Sequence, residues 1–184
     1  MDCLGGKLLN YFMENLMFSV GDRENFDIEL MKEYIPNCDK VEKTDIEIDK
    51  SGVDYIATLK DGSTVTIDAK TRKKGAKQYW EYGEPELALE RYSVVEKKIV
   101  GWLFKDSDVH PDYILYTFDK SDTDKFFFIP YILLRKACAE NGQAWKAKYK
   151  LKTQPNFGYT SDALFVPASV AINAVRDCME GRVK

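Results

Sequence analysis

An α/β fold with a central mixed β-sheet flanked by helices is the architecture this sequence predicts, and three observations carry it. Apolar residues recur at helical spacing over residues 4 to 35, short alternating runs separated by turn residues fill 44 to 118, and strand-to-helix units with a proline at each junction occupy 126 to 184. At 184 residues, 45% of them hydrophobic and 31% charged, the chain fits one domain with a substantial core. Its parts are expected to be N-terminal helices at 1–38, a sheet core at 44–118 and C-terminal strand-helix additions at 126–184.

Leu8, Leu9, Phe12 and Leu16, then Ile28, Leu30, Met31 and Ile35, mark two helices that break at Gly21-Asp22, and Pro36 ends the second. Thr44-Asp45-Ile46-Glu47-Ile48-Asp49 alternates as a strand and leads through Ser51-Gly52 into a second strand-like run carrying Asp54. Lys60-Asp61-Gly62-Ser63 turns the chain into a third run that carries Asp68-Ala69-Lys70, completing a meander. Glu86-Leu87-Ala88-Leu89-Glu90 alternates again and reads as a strand, with an i,i+4 helix as the alternative. Asp112 to Phe118 is apolar and aromatic, which suits a central strand. Phe128-Ile129-Pro130 precedes a helical pattern through Ala139, and Phe165-Val166-Pro167 precedes another through Met179. Proline suits a helix start because its missing N–H would go unused there.

The Asp54 and Asp68 runs carry the chemistry. If Lys60-Asp61-Gly62 is a three-residue turn with Gly62 left-handed, Leu59 pairs with Ser63 and Asp54 falls opposite Asp68. Val53 then meets Ala69, Tyr55 meets Ile67 and Ala57 meets Val65, a coherent apolar face. A two-residue Asp61-Gly62 turn would instead put the aspartates on opposite faces; the apolar pairing favours the longer turn. Opposed carboxylates repel unless a cation joins them, and Mg2+ prefers such hard oxygen ligands. Lys70, two residues past Asp68, projects from the same face to position or deprotonate an attacking water or to hold a phosphate oxygen. The triplet needs its hairpin: Glu96-Lys97-Lys98 has the same acid-x-Lys form with no hairpin behind it.

Asp54 on one strand, followed by Asp68-Ala69-Lys70 on the next, resembles the signature of the PD-(D/E)XK nuclease superfamily over roughly residues 44 to 118. Val53 stands where the superfamily has proline. Gly101-Trp102-Leu103-Phe104-Lys105 followed by Asp112-Tyr113-Ile114-Leu115-Tyr116 is also similar to a segment of phage and bacterial members. The resemblance implies a restriction-endonuclease-like core and a Mg2+-dependent deoxyribonuclease, by preference an endonuclease, with Mn2+ as a substitute ion. Asp54 and Asp68 would bind the metal and Lys70 would orient the water. An acid from a preceding helix often assists such sites, making Glu14, Glu24, Glu29 and Glu33 candidates, while Glu86 or Glu90 would serve if the polar side of their strand faced the site.

The net charge of −3 is not that of a typical nucleic-acid binder, but charge acts locally. Lys70-Thr71-Arg72-Lys73-Lys74-Gly75-Ala76-Lys77 concentrates positive charge just after the site, so Arg72, Lys73, Lys74 and Lys77 are the expected DNA contacts. Lys146, Lys148, Lys150 and Lys152 alternate with Ala147, Tyr149 and Leu151 as though lining one side of a strand, within a segment, Trp145 to Tyr159, that suits a substrate-facing element or a surface loop. His110, before Pro111, reads as a loop residue, with a general base as the alternative. Cys3, Cys38, Cys138 and Cys178 lack metal-ligand spacing and read as reduced thiols. No phosphate-binding glycine loop or serine or cysteine triad stands out.

No stretch reaches the length of a membrane span and the N-terminus lacks the order of a signal peptide, so a cytoplasmic protein is expected, in a bacterial or phage-infected cell given the resemblance. A homodimer acting on two strands is a further expectation. The readings from other classes are a non-catalytic nucleic-acid-binding or regulatory protein on a nuclease-like scaffold, and a protein-interaction module.

Overall fold

The hairpin that bears the two aspartates sets the frame of the molecule. The computed structural model describes residues 22–45, 52–106 and 108–182. Lys60, Asp61 and Gly62 form the longer turn: the Leu59 N–H donates to Ser63 O at 2.8 Å, the Gly62 N–H donates to Leu59 O at 2.9 Å, and Gly62 has φ of +84°. Asp61 Oδ1 closes the turn by accepting the Ser63 N–H at 2.9 Å and its hydroxyl at 2.7 Å. Strands β2 (Tyr55–Leu59) and β3 (Thr64–Arg72) pair antiparallel, with Tyr55 opposite Ile67 and Ala57 opposite Val65. One further step sets Asp54 opposite Asp68, and the Asp54 N–H donates to Ile67 O at 2.9 Å. The two-residue register does not form.

The first strand of the meander differs from the expected one. It is β1, Cys38–Lys43, which pairs with β2 from Cys38 opposite Leu59 to Lys43 opposite Tyr55. Thr44 adds one N–H bond to Asp54 O at 2.9 Å, and residues 46–51 lie outside the described residues. Among the described residues β1 is the edge strand, and its only buried residue is Val41, so it carries almost no apolar alternation to read. The second expected N-terminal helix is α1, Asp22–Tyr34, whereas the first, with Glu14 and Cys3, lies outside the described residues.

Among the described residues five strands make the mixed sheet, in the order β1-β2-β3-β6-β7, with β6 at Tyr113–Phe118 and β7 at Phe127–Pro130. β6 runs parallel to β3, with Asp68 beside Ile114, Lys70 beside Tyr116 and Arg72 beside Phe118, and the other pairs are antiparallel. A second, antiparallel sheet has the order β5-β4-β9-β8, from β4 (Glu86–Val94), β5 (Ile99–Val100), β8 (Leu151–Pro155) and β9 (Thr160–Pro167). Glu86 to Glu90 is therefore strand. β7 feeds α2 (Tyr131–Lys148) and β9 feeds α3 (Ala168–Met179), with Pro130 and Pro167 as the N-caps. Among the described residues no helix is long and apolar enough to cross a membrane.

Alternation gives the mixed sheet two different faces. Tyr55, Ala57, Ile67 and Leu115 pack with Leu30 and Met31 of α1. Ile114, Tyr116 and Phe118 point the other way, into a larger core shared with Leu87 and Leu89 of β4, Val166 of β9 and apolar residues of α2 and α3. Asp68, Lys70 and Arg72 share this second face by register, so the polar side of β3 meets the second sheet rather than open solvent.

The lysine alternation over 146–152 is not a strand face. Lys146 and Lys148 lie in the last turn of α2, Tyr149 is its C-cap, and only Lys152 of the four is on β8. Helix continues through the first half because Trp145 is buried in the main core there.

Candidate functional site

Asp54 and Asp68 reach the site from neighbouring strand ends. Asp54 stands one residue before β2, where the ladder leaves an N–H of β3 without a strand partner, and its Oδ2 accepts that Ala69 N–H at 2.7 Å. Asp68, 3% exposed, hydrogen-bonds through Oδ1 to the Lys70 ammonium. Burial pushes the Asp68 carboxyl up to about 7; Lys70 opposes this, while the negative charge of Asp54 and a hydrogen bond between the two acids reinforce it.

The site opens into a cleft of about 240 Å³ between the two sheets, lined by Asp68, Lys70, Glu90, Trp102, His110 and Tyr131 among others. The Lys70 ammonium lies 5.6 Å from the centre of the Trp102 ring. Glu90 projects from β4, and its Oε2 accepts the Trp102 N–H at 3.3 Å. Burial raises the Glu90 carboxyl, against the lowering effects of that N–H and of Lys70. On the far wall His110 stacks on Tyr131 with ring centres 5.2 Å apart, its Nε2 stands 3.3 Å from Arg135 Nη1, and the Tyr131 hydroxyl donates to Leu103 O at 3.2 Å.

Gly101 fixes this wall. Its N–H donates to Arg91 O at 2.8 Å, and a Cβ there would collide with the Glu90 carbonyl, coming within 2.7 Å of its carbon. Gly101→Ala is therefore expected to force β4 away from the chain leading to Trp102 and to cost about 1–3 kcal/mol in urea unfolding; unchanged stability would contradict this close approach.

Of the other acids considered, Glu24 pairs with Lys43 at 3.2 Å, Glu29 pairs with Lys32 at 3.5 Å, and Glu33 is exposed. Glu86 is buried and accepts the Glu81 N–H at 2.7 Å, a structural role. None of these four lines the cleft, whereas Glu90 does. Among the described residues no group of three or more acidic, histidine or cysteine side chains is arranged to hold a metal, so the candidate donors are the adjoining pair Asp54 and Asp68. Glu96 of the second acid-x-Lys triplet instead accepts the Thr160 N–H at 3.0 Å and hydroxyl at 2.6 Å.

The basic run divides. Arg72 shares the face of Asp68 and Lys70 but lines a different cleft, with its guanidinium 4.9 Å from the centre of the Phe165 ring. Lys73, Lys74 and Lys77 are exposed beyond the end of β3 and do not line the Asp68 cleft. Trp102 and Tyr131 are cleft residues that the sequence did not assign, and His110, read there as a loop residue with a general base as the alternative, lines the same cleft. The signal for Trp102 lay in the Gly101–Lys105 segment; the parallel β3–β6 pairing brings the His110 loop to the site. No protein-family model matches the chain, and neither does any curated protein or solved structure.

Proposed function

We propose that this chain is a metal-dependent nuclease of the PD-(D/E)XK type that hydrolyses phosphodiester bonds of DNA. The observation that carries the reading is the meeting of Asp54 and Asp68 on one hairpin face, with Lys70 bonded to Asp68 at a cleft between two sheets. Two adjoining carboxylates fit Mg2+, which takes one or two protein carboxylates and completes its octahedron with water and phosphate oxygens. Like-charge repulsion from Asp54 favours a cation at Asp68, whereas burial favours the protonated carboxyl, so a metal ion would displace a proton there. A bound divalent ion supplies Lewis-acid polarisation of the scissile phosphate and charge for the departing oxygen.

The chain's own residues do the positioning. Lys70 brings N–H donors with which to hold the attacking water and a phosphate oxygen. Glu90, the other acid among the described residues that line the cleft, would accept hydrogen bonds from waters held by a bound ion. Trp102 and the His110–Tyr131 stack narrow the approach and limit bulk water. Arg72, Lys73, Lys74 and Lys77 extend positive charge from the end of β3 toward the DNA backbone.

One observation favours a second reading. The Lys70–Asp68 ion pair already neutralises the buried carboxylate, as it would in a non-catalytic nucleic-acid-binding protein on this scaffold. The two readings separate when purified protein is incubated with single-stranded, duplex and branched DNA, and with RNA, in Mg2+, Mn2+ or EDTA. The nuclease gives products with either metal and none in EDTA; binding without products in any metal would establish the second reading.

A further inference from the structure

A second cleft, of about 510 Å³, opens where the end of β3 and the short 3-10 turn Ala76–Tyr79 meet the β8–β9 hairpin. Three cations among the described residues line it: Arg72 from β3, Lys152 from β8 and Lys150 just before β8. Arg72 and Lys152 both lie over one ring, Phe165, at 4.9 Å and 4.7 Å from its centre. Lys152 Nζ also donates to Tyr79 O at 3.4 Å, which ties the 3-10 turn to the hairpin. Glu81 is the single carboxylate among the described residues that line the cleft, and its Oε1 stands 3.3 Å from Lys150 Nζ and 3.4 Å from Lys152 Nζ. One negative charge shared between two lysines, with Arg72 beside them, leaves the cleft positive. Tyr79, 61% exposed, stands at its edge.

Convergent cations beside an exposed aromatic ring are the combination that binds an unpaired nucleic-acid strand: the cations follow phosphates and the ring stacks on a base. A duplex offers phosphates but keeps its base faces inside the stack, and a cleft the size of a small-ligand pocket admits one strand only. Arg72 lies on the same face of β3 as Asp68, four residues or about 13 Å further along the strand. We propose that this cleft binds the single-stranded flank of the substrate, with Arg72, Lys150 and Lys152 on its phosphates, Tyr79 on a base, and Glu81 as the counter-ion that a phosphate displaces. The proposal rests on the nuclease reading for the purpose of the strand, whereas its binding requires no cleavage.

The test is fluorescence anisotropy in EDTA, with a short labelled oligothymidylate, the same strand paired with oligoadenylate, and oligouridylate. Wild type is expected to bind the single strands more tightly than the duplex; equal affinity for thymidylate and uridylate leaves DNA and RNA both as occupants. Lys150→Ala combined with Lys152→Ala should weaken single-strand binding at least about tenfold and lower the log–log salt slope by about 1.4, two phosphates' worth. Tyr79→Ala should weaken single-strand binding about tenfold and leave duplex binding unchanged. Glu81→Gln should tighten single-strand binding several-fold, an effect that a purely structural Glu81 would not produce. Arg72→Ala provides a second charge variant should the double lysine variant fold poorly. Absent single-strand binding, no preference over duplex, or indifference to all these substitutions overturns the proposal. If the binding pattern appears without cleavage in any metal, the nuclease reading falls and the cleft stands; if cleavage proceeds while binding ignores the substitutions, the cleft falls and the nuclease stands.

Discussion

Asp68→Asn is expected to lower cleavage at least about a thousandfold while raising metal-free stability at pH 8 by about 4 kcal/mol. The opposite signs have one cause. Burial and the Asp54 charge hold the folded-state Asp68 carboxyl at about 7, well above its ordinary value. Between roughly pH 4 and 7 the unfolded chain gives up this proton and the folded chain keeps it, so rising pH favours unfolding across that window and the loss is complete above it. Metal-free wild type should therefore lose about 3 kcal/mol of stability between pH 5 and 8 from this one group, and the asparagine variant should not. Urea denaturation in EDTA at the two pH values measures both effects. A variant no more stable than wild type at pH 8 would show that Asp68 is not held against its ionisation.

Lys70→Met is expected to lower cleavage by about a hundredfold or more, with the reverse effect on stability. The Lys70 ammonium is the main group that favours ionised Asp68, so its loss destabilises the fold where Asp68 is charged and hardly at all at pH 5. The loss at pH 8 is capped at about 1 kcal/mol, because Asp68 takes up a proton once its partner is gone, and at one unit above its folded-state value that costs no more. Full cleavage by this variant, or equal destabilisation at pH 5 and 8, would remove Lys70 from its assigned role.

What was legible in the sequence is what depends on neighbours along the chain. Gly62 and the alternation of Tyr55, Ala57, Val65 and Ile67 fix the hairpin register locally, and the register alone makes Asp54 and Asp68 neighbours. The two proline-led helices were legible for the same reason. The first strand was not, because an edge strand with one buried residue has no alternation to show. The lysine alternation over 146–152 misled because a period of two continued across the end of a helix, where no common face exists. Which remote residues join Asp68 in the cleft, Glu90 rather than Glu86 among them, was hidden for a topological reason. β3 and β6 are parallel neighbours separated by the strands of a second sheet, and that crossover carries Glu90, Trp102 and His110 to Asp68 from 22 to 42 residues away. Local spacing does not encode such a meeting. The division of the basic run followed likewise from strand parity: Arg72 keeps the face of Lys70, and the residues after it leave the strand.

Calorimetric titration of the purified protein with Mn2+ at pH 8, without nucleic acid, tests the central claim most directly, because it reads the Asp54–Asp68 pair apart from any substrate. Saturable binding to wild type is expected, weakening as pH falls below 7 and Asp68 takes up its proton, and absent from Asp68→Asn. No binding by wild type, or undiminished binding by Asp68→Asn, would contradict a metal site at these two aspartates.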